Sequence, residues 1–158
     1  MELNPYLQAI WYVLPSYFAN MSPVVFGGGR PLDMGRNFID GRRILGDHKT
    51  VRGFLSGILV GSIVGVLQGR LLQGFVLSLG AMVGDCLGSF LKRRMGLAEG
   101  SSAPILDQEG FLIFSLLFAS PLESLPLESI LFLVILTPLL HWGSNTIAHL
   151  LGLKEVGH

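Results

Sequence analysis

The stretch Gly84-Asp85-Cys86-Leu87-Gly88-Ser89-Phe90-Leu91-Lys92-Arg93-Arg94 follows an apolar run and ends in a basic cluster. Read as a helix, it places Asp85, Ser89 and Lys92 at i, i+4 and i+7, on one face. An acid at the end of a lipid-embedded segment is costly unless something compensates it. A divalent cation is the obvious compensation, because it seeks hard oxygen ligands. Positive charge one turn later suggests that this cation has a phosphate partner.

Composition widens that reading to the whole chain. Of the 158 residues, 50% are hydrophobic and only 14% are charged, against about 25% charged in soluble domains. Several apolar runs approach the roughly 20 residues that span a bilayer. The chain therefore reads as an all-α integral membrane protein. Its formal net charge of zero says little about partners, because here the distribution matters more than the sum. A nucleic-acid partner is not expected. The single Cys86 excludes an intrachain disulfide and a multi-cysteine zinc site. The first apolar run lacks the basic flank of a signal peptide, since Glu2 is the only charge before it.

Working outward, five apolar segments can be traced: about Tyr6 to Phe26, interrupted by Pro15 and Pro23; Gly53 to about Leu67; about Leu71 to Leu91; about Gly110 to Leu125; and about Ser129 to Leu153. The fourth is short enough to be a tilted or re-entrant helix instead. Arg30, Arg36, Arg42, Arg43, Lys49 and Arg52 lie between the first two segments, Lys92, Arg93 and Arg94 follow the third, and Lys154 follows the fifth. With five spans all of these fall on one side and only Arg70 on the other. The positive-inside rule then puts the amino terminus outside and the carboxyl terminus in the cytoplasm. A single transmembrane domain, residues 1–158, is expected in the cell membrane. Its two long loops, about 27–52 and 92–109, face the cytoplasm, and long loops on one face usually carry the function.

Gly53, Gly57, Gly61, Gly65 and Gly69 recur every fourth residue, as do Gly80, Gly84 and Gly88. Such ridges let helix backbones approach closely, either between spans two and three or across a homodimer seam. The loop Arg42-Arg43-Ile44-Leu45-Gly46-Asp47-His48-Lys49-Thr50-Val51-Arg52-Gly53 joins basic residues, a hydroxyl and a helix start. It reads either as a phosphate cradle or as a basic loop touching anionic lipid; the P-loop spacing is absent. Asp107 lies just before segment four, at the same membrane face as Asp85, so the two could share one metal ion; each acid taken alone reads as a solvated loop charge or a salt bridge to Lys92 or Arg93. Asp33, Asp40 and Asp47 sit among basic residues and are expected to pair locally. His141, Asn145 and His149 share a face of segment five, where hydrogen bonding between helices is the expected role.

The residues also carry a resemblance. Gly46-Asp47-His48-Lys49-Thr50-Val51-Arg52-Gly53 resembles the Ser-Pro-Lys-Lys-Thr-Val-Glu-Gly segment of phosphatidate cytidylyltransferases, or CDP-diacylglycerol synthases. Gly84-Asp85 through Ser89 to Lys92-Arg93 is similar to that family's Gly-Asp-Leu-x-x-Ser-x-x-Lys-Arg, and Leu106-Asp107-Gln108 stands where it has Leu-Asp-Arg. Ser102-Ala103-Pro104-Ile105 replaces the Pro-Gly-His-Gly-Gly run of the bacterial members, and Gln108 replaces their arginine. The short length, five spans and first loop look closer to the archaeal branch, the CDP-archaeol synthases.

The resemblance implies transfer of CMP from CTP to a lipid phosphate, giving a CDP-lipid and pyrophosphate. The lipid would be unsaturated archaetidic acid (2,3-di-O-geranylgeranylglyceryl phosphate), or phosphatidic acid if the chain follows the bacterial branch. It implies Asp85 and Asp107 as ligands of Mg²⁺, with Mn²⁺ as the alternative, and Asp85, Asp107 and Lys92 as catalytic residues. Lys49, Thr50, Gly53, Gly84, Ser89, Lys92 and Arg93 would bind the nucleotide. Arg30 and Arg43 would meet the lipid phosphate. No motif marks the residues that read the base. A small channel or transporter would place polar residues deep in several spans; this sequence gathers its charge at one face. A CDP-alcohol phosphotransferase would continue Asp40-Gly41 with spaced aspartates that are missing here.

Overall fold

The computed structural model describes residues 4–99, 101 and 103–150, with the side chains at 104, 105, 141 and 143–150 outside the described set. Five helices follow one another: α1 Pro5–Phe26, α2 Val51–Leu67, α3 Leu71–Arg94, α4 Pro104–Ala119 and α5 Leu127–Leu150. No strand occurs among the described residues, and only isolated bridges, Pro31 with Thr50 and Asn37 with Arg43, tie the first long loop. His141, Asn145 and His149 belong to the part of α5 whose side chains lie outside the description.

Helices α4 and α3 differ from the sequence expectation at their ends. α4 starts at Pro104 rather than near Gly110 and ends at Ala119. Proline at the first helical position has its φ already set, and Asp107 in the first turn suits the positive end of the helix dipole. α3 runs through its basic cluster to Arg94, because Lys92, Arg93 and Arg94 complement the negative carboxyl end.

α3 is the central helix, packed against α1, α2 and α4, while α5 closes against α1 and α4. The glycine ridges account for this. A Cβ on Gly57 would come within 2.9 Å of the Ala19 carbonyl oxygen, and one on Gly61 within 2.6 Å of that of Pro15. Gly65 and Gly74 meet backbone to backbone. On α3, Gly80 faces the Phe114 carbonyl, Gly84 that of Gly110, and Gly88 that of Leu106. The ridge of α2 is thus filled by α1 and α3 of the same chain and is not free to serve as a seam between copies. Pro15 lacks the N–H that would bond the Trp11 carbonyl, and the Gln68 side-chain amide donates to that oxygen instead at 2.6 Å.

Apolar side chains also cover the outside. Leu55, Leu59 and Ile63 on α2, and Leu131, Ile135 and Leu139 on α5, are each about half exposed or more. Among the described residues, Leu71–Arg94 is the one helix both long and apolar enough to cross a membrane by itself; Val51–Leu67 and Leu127–Leu140 are apolar but shorter.

The long loops, 27–50 and 95–103, meet at one end of the bundle. Arg42 donates to the Arg94 carbonyl at 3.0 Å, Arg94 pairs with Asp40 at 2.8 Å, and the Asp47 N–H donates to Glu99. At the other end the short turns gather Gln68, Arg70 and Glu123, where Arg70 pairs with Glu123 and the Tyr12 hydroxyl donates to the Glu123 carbonyl.

Candidate functional site

At the end where the loops meet, two carboxylates each hold a lysine. Lys49 Nζ lies 2.6 Å from Asp85 Oδ2, and Lys92 Nζ lies 2.5 Å from Asp107 Oδ1. Asp107 is fixed further, its Oδ2 accepting from the Ala103 N–H at 2.9 Å. Glycine sets the two acids at similar heights on α3 and α4. The α3–α4 register sets Gly84 against Gly110 and Gly88 against Leu106. Asp107 therefore stands about opposite Leu87, two residues from Asp85, or roughly 3 Å along the axis. A side chain on either glycine would push the helices apart and separate the acids.

Both lysines line one open cavity of about 170 Å³. Ser89 and Arg93 line it from α3, Leu45 and His48 from the first loop, and Glu99 from the second. Arg93 is only 7% exposed and donates to the Ala98 carbonyl at 3.0 Å. Its Nε is buried without a hydrogen-bond partner, which leaves donor capacity to spare. A cleft with three cations beside two lysine-held carboxylates can take a polyanion, because the lysines can move from carboxylate to phosphate without leaving the pocket.

Several residues expected at the nucleotide do other work. The Thr50 hydroxyl caps α2 by accepting from the Gly53 N–H at 3.1 Å, and the Val51 N–H donates to the Arg30 carbonyl at 3.1 Å. Two of the free N–H groups that would cradle a phosphate at that helix start are thereby satisfied. Thr50 and Gly53 line a separate, narrow crevice with Pro23, Met82 and Asp85, and Gly84 packs on Gly110. Of the expected nucleotide residues, Lys49, Ser89, Lys92 and Arg93 reach the shared cavity.

Arg43, expected at the lipid phosphate, is held within its own loop. It donates to both oxygens of Asp33 and lies 2.6 Å from Asp47 Oδ1. The Asp33 side chain is 1% exposed and also accepts from the N–H groups of Gly35, Leu45 and Gly46. Burial opposes its charge, but Arg43 and these N–H groups outweigh burial and hold the carboxyl well below the usual carboxylate range. Arg30 is exposed, and no ion pair involves it among the described residues. Sequence reading missed Arg42 and Arg94, which lock the first loop to the end of α3; Arg94 also lies over the rings of Phe38 and Phe90. It missed Glu99 as well. No spacing signals these contacts, since they join loops about 50 residues apart.

A larger cavity, about 700 Å³, is elsewhere. It is mainly apolar and lies at the opposite end, lined by Leu7, Trp11, Tyr12, Arg70 and Glu123. The convergent charges are at the loop end, not here.

Comparison with known proteins bears on the family. A family profile described as CarS-like, CDP-archaeol synthase, matches residues 2–158. The CDP-archaeol synthase of Pyrococcus horikoshii is 51% identical, covering 99% of both chains. That of Thermococcus gammatolerans is 52% identical over 98% of this chain and 97% of its own. A solved structure, described as an intramembrane enzyme for archaeal membrane lipids biosynthesis, superposes with a TM-score of 0.84 at 41% identity, covering 88% of this chain and 93% of that one.

Proposed function

The chain belongs to the CDP-archaeol synthase family, and from that premise we propose that it transfers the cytidylyl group of CTP to the phosphate of unsaturated archaetidic acid. A lipid phosphate oxygen attacks the α-phosphorus of CTP. The bond from that phosphorus to the α–β bridging oxygen breaks, and pyrophosphate leaves with the electron pair. The attacking oxygen is already anionic near neutral pH, so the protein needs no nucleophile. Its task is to bring two polyanions into line.

The observation that carries this reading is a pair of lysines lining one cavity, each paired with a carboxylate, Lys49 with Asp85 and Lys92 with Asp107. The donor set fits a hard divalent cation delivered with the triphosphate. Asp85 and Asp107 offer oxygen ligands at one opening, and among the described residues no third acid, histidine or cysteine closes a cage around them. Asp85 and Asp107 would hold Mg²⁺ or Mn²⁺, which when bound supplies charge neutralisation on the phosphates. Lys49, Lys92 and Arg93 bind phosphate oxygens from the cavity wall, and Ser89 offers its hydroxyl there. Arg30, exposed beside the start of α2, takes the lipid phosphate in place of Arg43.

The five helices cross the cell membrane with the amino terminus outside and the site open to the cytoplasm. The gathering of both long loops and their basic residues at one end supports this orientation. The outward apolar rows of α2 and α5 face lipid.

The test is CTP labelled at the α-phosphate, incubated with purified protein, Mg²⁺ and either unsaturated archaetidic acid or phosphatidic acid. Label moving to the ether lipid supports the proposal. Transfer to phosphatidic acid alone would reassign the substrate, and transfer to neither would refute the reaction.

A further inference from the structure

The cavity that takes the phosphates contains one anomaly. Lys49, Lys92 and Arg93 line it, yet so does a carboxylate, Glu99. An acid in a polyanion site weakens binding unless it faces a part of the ligand that donates hydrogen bonds. Glu99 comes from the second loop and lies 3.9 Å from His48 of the first, which also contributes Leu45 and Lys49, while Lys92 and Arg93 belong to α3. The acid is held in place: both of its oxygens lie 3.1 Å from the Asp47 N–H that they share. One shared donor leaves most of a carboxylate's acceptor capacity open.

The cavity, at about 170 Å³, is smaller than the roughly 300–1,000 Å³ of sites that enclose a whole ligand. It holds part of a nucleotide, with the remainder outside. Leu45 offers an apolar wall and His48 a ring, 78% exposed and 3.9 Å from Glu99, so this end suits a flat heterocycle.

We infer that Glu99 reads the nucleotide base, its carboxylate accepting a hydrogen bond from the exocyclic amino group of cytosine. The inference rests on the cytidylyl-transfer reading above and names the specificity-determining residue of that site. Cytosine presents an amino donor where uracil presents a carbonyl oxygen; a carboxylate attracts the first and repels the second. The competing account gives Glu99 only the job of pinning the Gly46–His48 turn through Asp47.

Equilibrium binding to the full chain in lipid nanodiscs with Mg²⁺ separates the two, using CTP, UTP and the pyrimidin-2-one nucleotide that lacks the amino group. With the unaltered protein, loss of the amino group should weaken binding about tenfold, and UTP should bind more weakly still. Glu99→Gln keeps an oxygen for the Asp47 N–H but adds a donor, so the CTP-to-UTP affinity ratio should fall by about tenfold or more. Equal weakening of CTP and UTP in that variant, or near-equal affinity of the unaltered protein for all three nucleotides, would overturn the inference. If Glu99→Gln does not fold, the three nucleotides on the unaltered chain decide alone. Base discrimination without lipid product would sink the transfer reading and leave this contact standing. Lipid product without discrimination would do the reverse.

Discussion

Asp85 and Asp107 were visible in the sequence as acids at helix ends, with a salt bridge to Lys92 or Arg93 as an alternative role for each, but Lys49 as the partner of Asp85 was not. Lys49 is 36 residues from Asp85, and Lys92 is 15 from Asp107. Such pairing depends on how α2, α3 and α4 are packed, which no local pattern encodes. On the proposed reading, truncating either acid removes a metal ligand and also leaves a lysine free to neutralise phosphate without opposition. Asp107→Ala should lower turnover by about 100-fold or more, the usual scale for losing a charge-stabilising group, measured as initial rates of CDP-lipid formation. Lys92→Ala should raise the KM for CTP, and an unchanged KM and kcat would contradict its place at the phosphates. Asp33 shows the opposite kind of residue, an acid whose work is structural. Its folded pKa lies below its unfolded value, so over that interval the unfolded chain binds more protons. Its stabilisation is complete above the ordinary carboxylate range and is lost as pH falls through the folded value. Protection of loop 31–47 from proteolysis should therefore persist in mild acid and fail only in strong acid. Asp33→Asn, which strands Arg43, should cost about 3 kcal/mol of stability at neutral pH and abolish that acid step.

Among the elements, the sequence anticipated five helices and the glycine periodicity, because both are local and repetitive. It left open what the glycines face. The structure answers with carbonyl oxygens of neighbouring helices: Ala19 and Pro15 for α2, and Phe114, Gly110 and Leu106 for α3. The start of α4 was misjudged because Pro104, read by itself, signals a loop as readily as a first helical residue. The glycine contacts have a direct consequence. Gly84→Leu adds a side chain where the Gly110 backbone already sits. It should destabilise the bundle by about 1–3 kcal/mol, read as a lower thermal midpoint in detergent, and should separate the two acids. Gly28 has φ +93° and open space around it. Gly28→Ala should therefore act through backbone strain alone, leaving the α3–α4 contact and CTP binding intact.

For the whole molecule, the decisive sequence signal was the sidedness of charge, and the fold turns it into a site by gathering both long loops at one end. Their docking through Arg42, Arg94 and Glu99 was not legible, since it depends on side chains from loops distant in sequence. The orientation can be tested in sealed vesicles with a Cys86→Ser background. Arg36→Cys should react with an impermeant thiol reagent only from the cytoplasmic side, and Leu122→Cys only from outside. Reversed labelling would invert the topology. The central claim is that Asp85 and Asp107 act together on one nucleotide at the cytoplasmic opening. The most direct measurement is transfer of α-labelled CMP to unsaturated archaetidic acid by the unaltered chain, Asp85→Asn and Asp107→Asn, each shown to be inserted and folded. The prediction is a labelled CDP-lipid from the unaltered chain and essentially none from either variant; transfer at the unaltered rate by either variant would contradict it.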